Sequence, residues 1–357
     1  MNKILAPYEK EGLKLKNHLI MAPMTRSRAI DNIPNSLMAE YYGQRANAAG
    51  LIITEGTSPM PNGLGYPRIP GIFSQAQIDG WKVVTDAVHA HNSKIFIQLM
   101  HTGRIGHKDN LPEGAELIGA SGVKASGQIY TDKSGMQEHT MPEALTTEGV
   151  KENIKGHVTA AKNAIAAGFD GIELHGANGY LIEQFLNPNV NTRTDEYGGS
   201  IEGRAKFVIE LAEKIAAAIG KDKGGIRFSP YNKLGDMQAY PENEVHETYA
   251  YLAKELDKIG IAYIHIGRMQ DAQPKTFDAI RAAFKGTIIF CNGFTPETAA
   301  AALDNGDADL IAFGRSFLAN PDLDKRITLN APLNEVDPST FFTPGPKGLT
   351  DYPLLAQ

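Results

Sequence analysis

The stretch Gly286–Arg315, GTIIFCNGFTPETAAAALDNGDADLIAFGR, decides the fold. Two short apolar runs, Thr287–Cys291 and Ala308–Phe313, flank a helix-length segment, Pro296–Asn305. Near-continuously apolar strands separated by helices belong to a parallel sheet covered on both faces. Thr295-Pro296 reads as an N-cap followed by a proline in the first helical position.

The same alternation extends toward the N-terminus. Strands are predicted over Leu19–Met24, Leu51–Thr54, Lys94–Leu99, Gly171–His175, Gly225–Ser229 and Ala262–Ile266. Helices are predicted over Ser36–Ala48, Gln75–His91, Thr147–Ala167, Ile201–Ile219, Pro241–Ile259 and Pro274–Lys285. Ser200 can cap the helix at Ile201, and Gly168, Gly220 and Gly260 stand where helices would end. Eight such strands predict an α/β fold closed as a (β/α)8 TIM barrel; an open doubly wound sheet would suit six better.

At about 150 residues per domain, 357 residues suggest two to three domains, but one barrel with insertions absorbs that length. The expectation is therefore a single domain over 1–357. Residues 1–17 would form a hairpin closing the far end of the barrel. Residues 102–146, too long for an ordinary loop after the third strand, would be a lid or specificity element, and 332–357 a packed tail.

Composition narrows the function classes. With 42% hydrophobic and 21% charged residues the chain is an ordinary globule. Its net charge of −6 disfavours nucleic acid as a partner, so any anion site is local. One cysteine, Cys291, excludes an intrachain disulfide, a thiolate zinc site and a four-cysteine cluster. The N-terminus lacks a signal-peptide core, and no apolar run reaches the roughly 18 residues of a membrane helix. The expected setting is cytoplasmic, with no membrane partner.

Chemistry in such barrels sits at the carboxyl ends of the strands. Asn292-Gly293 after the seventh and Gly314-Arg315 after the eighth offer backbone N–H groups, helix starts and a guanidinium, which suit a phosphate. Plain turn glycines beside a surface arginine are the competing reading, and Arg268 is a weaker rival. Arg227 lies inside a strand and needs negative charge nearby, from Glu173 or from a ligand. His175 and Asn178 can converge on one oxygen, with Tyr180 as a proton donor. Alternatively, His175 satisfies a loop carbonyl. No metal site is expected: His89-Ala-His91 closes a helix, and His101 and His107 flank a lid turn. Glu196–Ser200 reads as an anion loop or as helix capping, and no Gly-x-Gly-x-x-Gly follows a strand.

MAPMTR (21–26), LIITEG (51–56), QLMHTGR (98–104), the block HGANGYLIEQFLNPNVNTRTDEYGGSIEGR (175–204) and AFGRSFLANPDL (312–323) together resemble the Old Yellow Enzyme family. These are ene-reductases dependent on flavin mononucleotide (FMN), built on a (β/α)8 barrel. The resemblance implies that Pro23, Met24 and Thr25 contact the flavin, with the Thr25 hydroxyl tuning it. It places Gly56 and Gln98 at the pyrimidine edge, Arg227 beside the reduced anionic ring, and Asn292, Gly293, Gly314 and Arg315 at the phosphate. His175 and Asn178 would hold the substrate oxygen, Tyr180 would give the proton, and Tyr66 would line the substrate pocket.

Two positions depart from the family pattern: Met100 replaces a frequent tryptophan and Phe342 a frequent tyrosine, so pocket shape and selectivity are this chain's own. Thr25, where another subgroup has cysteine, places the chain in the better-known branch. A single domain without cluster cysteines argues against the dienoyl-CoA reductase relatives.

The implied reaction has two steps. NADPH or NADH, bound transiently, reduces FMN, which passes hydride to the β-carbon of an α,β-unsaturated carbonyl or nitro compound. Nitrate esters, nitroaromatics or maleimides are alternative substrates of the same site. A metal-dependent hydrolase of a phosphorylated substrate and a flavin-binding module without turnover are more distant alternatives. A monomer or small homo-oligomer is expected.

Overall fold

The computed structural model describes residues 3–269 and 272–356. Eight parallel strands close a barrel: β1 (Leu19–Met21), β2 (Leu51–Thr57), β3 (Lys94–Leu99), β4 (Gly171–Gly176), β5 (Gly224–Phe228), β6 (Tyr263–Gly267), β7 (Thr287–Cys291) and β8 (Leu310–Phe313), with β8 returning to β1. Between them run α1 (Ser36–Ala46), α2 (Gln75–His89), α3 (Thr147–Ala166), α4 (Ile201–Ile219), α5 (Glu242–Ile259), α6 (Pro274–Ala283) and α7 (Pro296–Asn305). The architecture is the (β/α)8 TIM barrel predicted from the alternation of strands and helices.

Differences from the predicted elements lie at their ends. Pro241 is the N-cap of α5 rather than its first residue, because its ψ of 132° is extended. Strand β1 stops at Met21, short of the expected Met24, and β2 runs on to Thr57 through a register shift between Ile53 and Gly56. Such bulges re-aim side chains near active sites. Thr295 and Thr298 form a reciprocal capping box at the start of α7, ahead of Pro296.

Alternate residues of each strand fill the barrel, and two glycines make room for aromatic rings. A Cβ on Gly225 would lie 2.3 Å from the Tyr263 ring, and one on Gly171 would lie 2.5 Å from the Phe96 ring. Below them a hairpin, Tyr8–Lys10 with Leu13–Leu15, turns at Glu11 and Gly12, both at positive φ. Its Tyr8, Leu13 and Leu15 pack with Ile20, Ile53 and Leu310 at the bottom of the barrel. This hairpin falls within the 1–17 segment, of which residues 1 and 2 lie outside the described residues.

Within 102–146 a second hairpin, Gln128–Thr131 with Gly135–Glu138, stands over the upper rim, and Ile118–Gly119 pairs with Glu143–Ala144. Buried Arg104 ties this insertion to the loop after β5 through the Asp236 carbonyl at 2.6 Å. The C-terminal segment, described to residue 356, is held by buried arginines. Arg28 donates to the carbonyls of Thr340 and Lys347, Arg26 to that of Gly348, and Arg45 to that of Leu349. Among the described residues no helix is long and apolar enough to cross a membrane.

Candidate active site

Register places the site's polar residues in two layers inside the barrel. Gln98, Glu173 and Gly225 are partners across β3, β4 and β5; one layer higher, His175, Arg227 and His265 are partners across β4, β5 and β6. Because side chains alternate along a strand, all of these point inward. The Glu173 carboxylate accepts from Gln98 Nε2 and His265 Nδ1, each at 2.8 Å. Burial opposes its charge, but His265, Arg227 and Gln98 together hold the carboxyl below its ordinary range. Burial likewise opposes charge on His265, and Glu173 raises it. The two form a buried ion pair.

Glu173 is thus taken up by His265 and Gln98, and Arg227 feels it as a nearby charge without a hydrogen bond. Among the described residues Arg227 Nε finds no hydrogen-bond partner. The buried guanidinium lines a cleft of about 510 Å³ together with Pro23, Met24, Asn292, Gly293, Gly314 and Arg315. Asn292 (φ 77°) and Gly293 (φ 74°) are successive left-handed residues, and space opens where a Gly293 side chain would stand. Gly314 opens the short helix Arg315–Ala319, leaving the Arg315 side chain exposed at the rim. A cleft of this size, with an unpartnered guanidinium at its base and exposed amides and an arginine at its rim, fits a ring system bearing a phosphate.

Of the other residues expected at a flavin, Gly56, Gln98 and Thr25 do not line this cleft. Gly56 sits beneath Met100, whose Sδ would lie 2.4 Å from an added Cβ. Gln98 is buried, with its Nε2 committed to Glu173. Thr25 follows Met24 into a second cleft of about 580 Å³, lined also by Tyr66, Tyr180 and Phe342 and by Ile129, Tyr130 and Met136 of the insertion. The chain passes from one cleft to the other between Met24 and Thr25. Phe342 is 61% exposed at the rim. Met100 packs with Leu64 and Ile69 behind Tyr66 and Tyr180 instead of facing the open cleft.

The Tyr180 ring stands edge-on to His175 with centroids 5.0 Å apart, and its hydroxyl donates to Tyr66 Oη at 3.1 Å. Burial, with Tyr66 beside it, holds the Tyr180 phenol well above its ordinary value. Burial, with the charges of Arg227 and His265, holds His175 well below its own. The pair is therefore a neutral phenol beside a neutral imidazole. Among the described residues His175 Nδ1 has no hydrogen-bond partner. Asn178 projects from a turn at φ 59°, its N–H bound to Ser229 Oγ at 2.9 Å.

Other sequence candidates have structural partners. His89 pairs with Asp170 at 2.8 Å, far along α2 from the upper rim. His101 accepts from the Gly103 N–H and stacks on His157. Ser200 caps α4, and Arg268 lies over the rings of Phe277, Phe290 and Phe294. Among the described residues no group of three His, Cys, Asp or Glu side chains is placed to hold a metal ion.

The sequence profile of the NADH:flavin oxidoreductase / NADH oxidase family matches residues 3–334. The chain belongs to that family, the Old Yellow Enzymes. This Old Yellow Enzyme is 41% identical over 363 residues to 12-oxophytodienoate reductase 1 of Oryza sativa subsp. japonica, covering 99% of this chain and 93% of the relative. It is 38% identical over 376 residues to 12-oxophytodienoate reductase 7 of the same plant, covering 99% and 95%. Morphinone reductase in complex with tetrahydroNAD superposes with a TM-score of 0.94 at 41% identity, covering 99% and 98% of the two chains. The old yellow enzyme homologue from Zymomonas mobilis does so with 0.94 at 38%, covering 99% and 100%. The chain is accordingly an NAD(P)H-dependent flavin oxidoreductase acting on C=C bonds, with FMN as its cofactor.

Sequence reading passed over Glu183, His265 and the Gln98–Glu173 contact as parts of one site. The available signal was a charged residue inside an apolar run: Glu183 in LIEQFL, His265 in YIHIG. Such residues are rarely buried without a partner.

Proposed function

We propose that this Old Yellow Enzyme reduces α,β-unsaturated carbonyl or nitro compounds, with His175 and Asn178 holding the activating oxygen and Tyr180 giving a proton to the α-carbon. The observation that carries the proposal is the unpartnered His175 Nδ1, buried beside the Tyr180 ring. A buried ring nitrogen without a partner is costly, and in the tautomer that carries its proton there a substrate oxygen can accept from it. The relatives' names, 12-oxophytodienoate reductase and morphinone reductase, also denote oxo compounds.

Bound FMN supplies the hydride, drawn from NADPH or NADH, to the β-carbon. Asn292, Gly293, Gly314 and Arg315 would hold its phosphate, Pro23, Met24 and Thr25 its ring, and Gly56 and Gln98 its pyrimidine edge. With Nε2 given to Glu173, Gln98 keeps Oε1 free to accept a ring N–H. Arg227 brings positive charge to the same cleft without a hydrogen bond to Glu173 to neutralise it. A neutral His175 donates without delivering its own proton, which leaves protonation of carbon to the phenol.

The test is steady-state reduction of 2-cyclohexenone and of a nitroalkene by FMN-loaded protein with NADPH. His175→Ala should lose on the order of 3 kcal/mol of transition-state stabilisation while keeping its flavin. Parental turnover in that variant refutes the assignment.

A further inference from the structure

Glu183 lies in the short helix Leu181–Leu186, directly after Tyr180, and its carboxyl is buried. Its Oε2 accepts from the Gly179 N–H at 2.6 Å and from Asn232 Nδ2 at 2.9 Å. Its Oε1 accepts from Ser229 Oγ at 3.1 Å. Ser229 Oγ in turn accepts the Asn178 N–H at 2.9 Å. Both amide hydrogens of the Asn178–Gly179 turn therefore end at Glu183, one directly and one through Ser229.

The turn needs that anchor. Asn178 and Gly179 are consecutive left-handed residues, at φ 59° and 84°, and a non-glycine residue there costs on the order of 1 kcal/mol. The loop after β5 also presses on the turn: a Cβ on Gly179 would lie 2.6 Å from the Leu234 carbonyl. Two of the groups that meet the Glu183 carboxyl, the Gly179 N–H and Asn232 Nδ2, can only donate, and an ionised carboxylate accepts from them more strongly than a neutral carboxyl does. A third cavity, of about 190 Å³, has Glu183 in its lining. Exposed Lys233, Gln238 and Glu242 contribute to its lining, so it connects Glu183 with solvent.

We propose that Glu183 is a positioning residue for the substrate clamp: its carboxylate fixes the turn that aims Asn178, and its protonation through the side cavity releases that turn. The proposal rests on the assignment of Asn178 to the clamp. Burial pushes the Glu183 carboxyl up to about 7 against the pull of Gly179, Ser229, Asn232 and Tyr249. Tyr249 and Tyr240, the titratable groups facing it from the α5 side, are held above the ordinary phenol value by burial and stay neutral. Lys233 and Glu242 stand at the cavity lining. Below about 7 the carboxyl gains a proton and accepts more weakly from the Gly179 N–H and Asn232 Nδ2, so substrate affinity falls with acid.

The experiment measures kcat and KM for 2-cyclohexenone on both sides of neutrality for FMN-loaded wild type, Glu183→Gln and Ser229→Ala, with FMN content determined for each. Wild-type KM should rise several-fold on acidification while kcat changes less. Glu183→Gln should show a KM raised about tenfold and flat with pH, the loss of a charge-assisted hydrogen bond, with FMN content unchanged. Ser229→Ala should raise KM less and keep the pH dependence. Wild-type turnover combined with unchanged KM and pH slope in Glu183→Gln overturns the inference alone. No turnover by the wild type overturns the proposed function and the inference together. If Glu183→Gln does not fold, Ser229→Ala decides, and a wild-type KM there is the overturning result.

Discussion

The Tyr180 hydroxyl donates to Tyr66 Oη across 3.1 Å, so the proton assigned to the substrate carbon is held by a second phenol inside the cleft. On the proposed assignment the Tyr180 O–H must leave Tyr66 Oη to reach the substrate carbon. Tyr180→Phe is expected to slow enone turnover by roughly 10²–10⁴-fold, the usual contribution of a general acid, and to spare flavin reduction by NADPH. Tyr66→Phe removes only the acceptor, and about tenfold is its upper limit. Stopped-flow traces of the two half-reactions separate these effects.

Between 6.5 and 10, the ordinary values of imidazole and phenol, neither His175 nor Tyr180 changes charge, since burial moves the first down and the second up. The expected profile of kcat at saturating enone is level across that range. A limb in this interval that disappears in His175→Asn or Tyr180→Phe contradicts the assignment.

Arg315 should recognise the cofactor's phosphate and nothing else of it. Arg315→Ala is expected to weaken FMN binding by about 1.5–3 kcal/mol, the range for a hydrogen bond to a charged group. Riboflavin, which lacks the phosphate, should bind the variant and the wild type alike. Fluorescence titration of apoprotein with each flavin reads the difference, and equal losses for both would place the phosphate elsewhere.

Acid should destabilise the fold through His157. Burial depresses it from 6.5 to about 4, so the unfolded chain binds more protons in this window. Stability is then lost as pH falls from 6.5 toward about 4, by up to about 3 kcal/mol for this one group. His157→Gln keeps a donor for the Asn153 carbonyl and removes the titration. The drop in Tm over that interval should be smaller in the variant than in the parent.

Gly225→Ala tests the barrel interior. The new methyl would stand 2.3 Å from the Tyr263 ring, itself fully buried between strands. Overpacking of this kind costs about 1–3 kcal/mol. The midpoint of urea unfolding should fall accordingly, with recovery in Gly225→Ala combined with Tyr263→Leu.

Much of this was legible in one dimension. Eight apolar runs and the helices between them marked the barrel, because a strand buried on both faces needs apolar residues at nearly every position. Thr295-Pro296 and Ser200 marked helix starts, because capping is chemistry between residues three apart. The same alternation placed Asn292, Gly293, Gly314 and Arg315 at the strand ends, where they now line one cleft.

Side-chain partners over long separations were not legible. Glu173 was an open candidate for pairing with Arg227; the fold instead gives its oxygens to His265, 92 positions away, and Gln98, 75 away. Met100 was placed in the substrate pocket by position, yet its side chain turns behind Tyr66 and Tyr180 because the bare backbone of Gly56 leaves room there. The sequence alone determined which segments become strands and which residues stand at their ends, since both follow from local pattern. Only tertiary structure decided which polar atoms remain unpartnered, among them Arg227 Nε and His175 Nδ1, because satisfying a buried polar group depends on where distant strands come to rest.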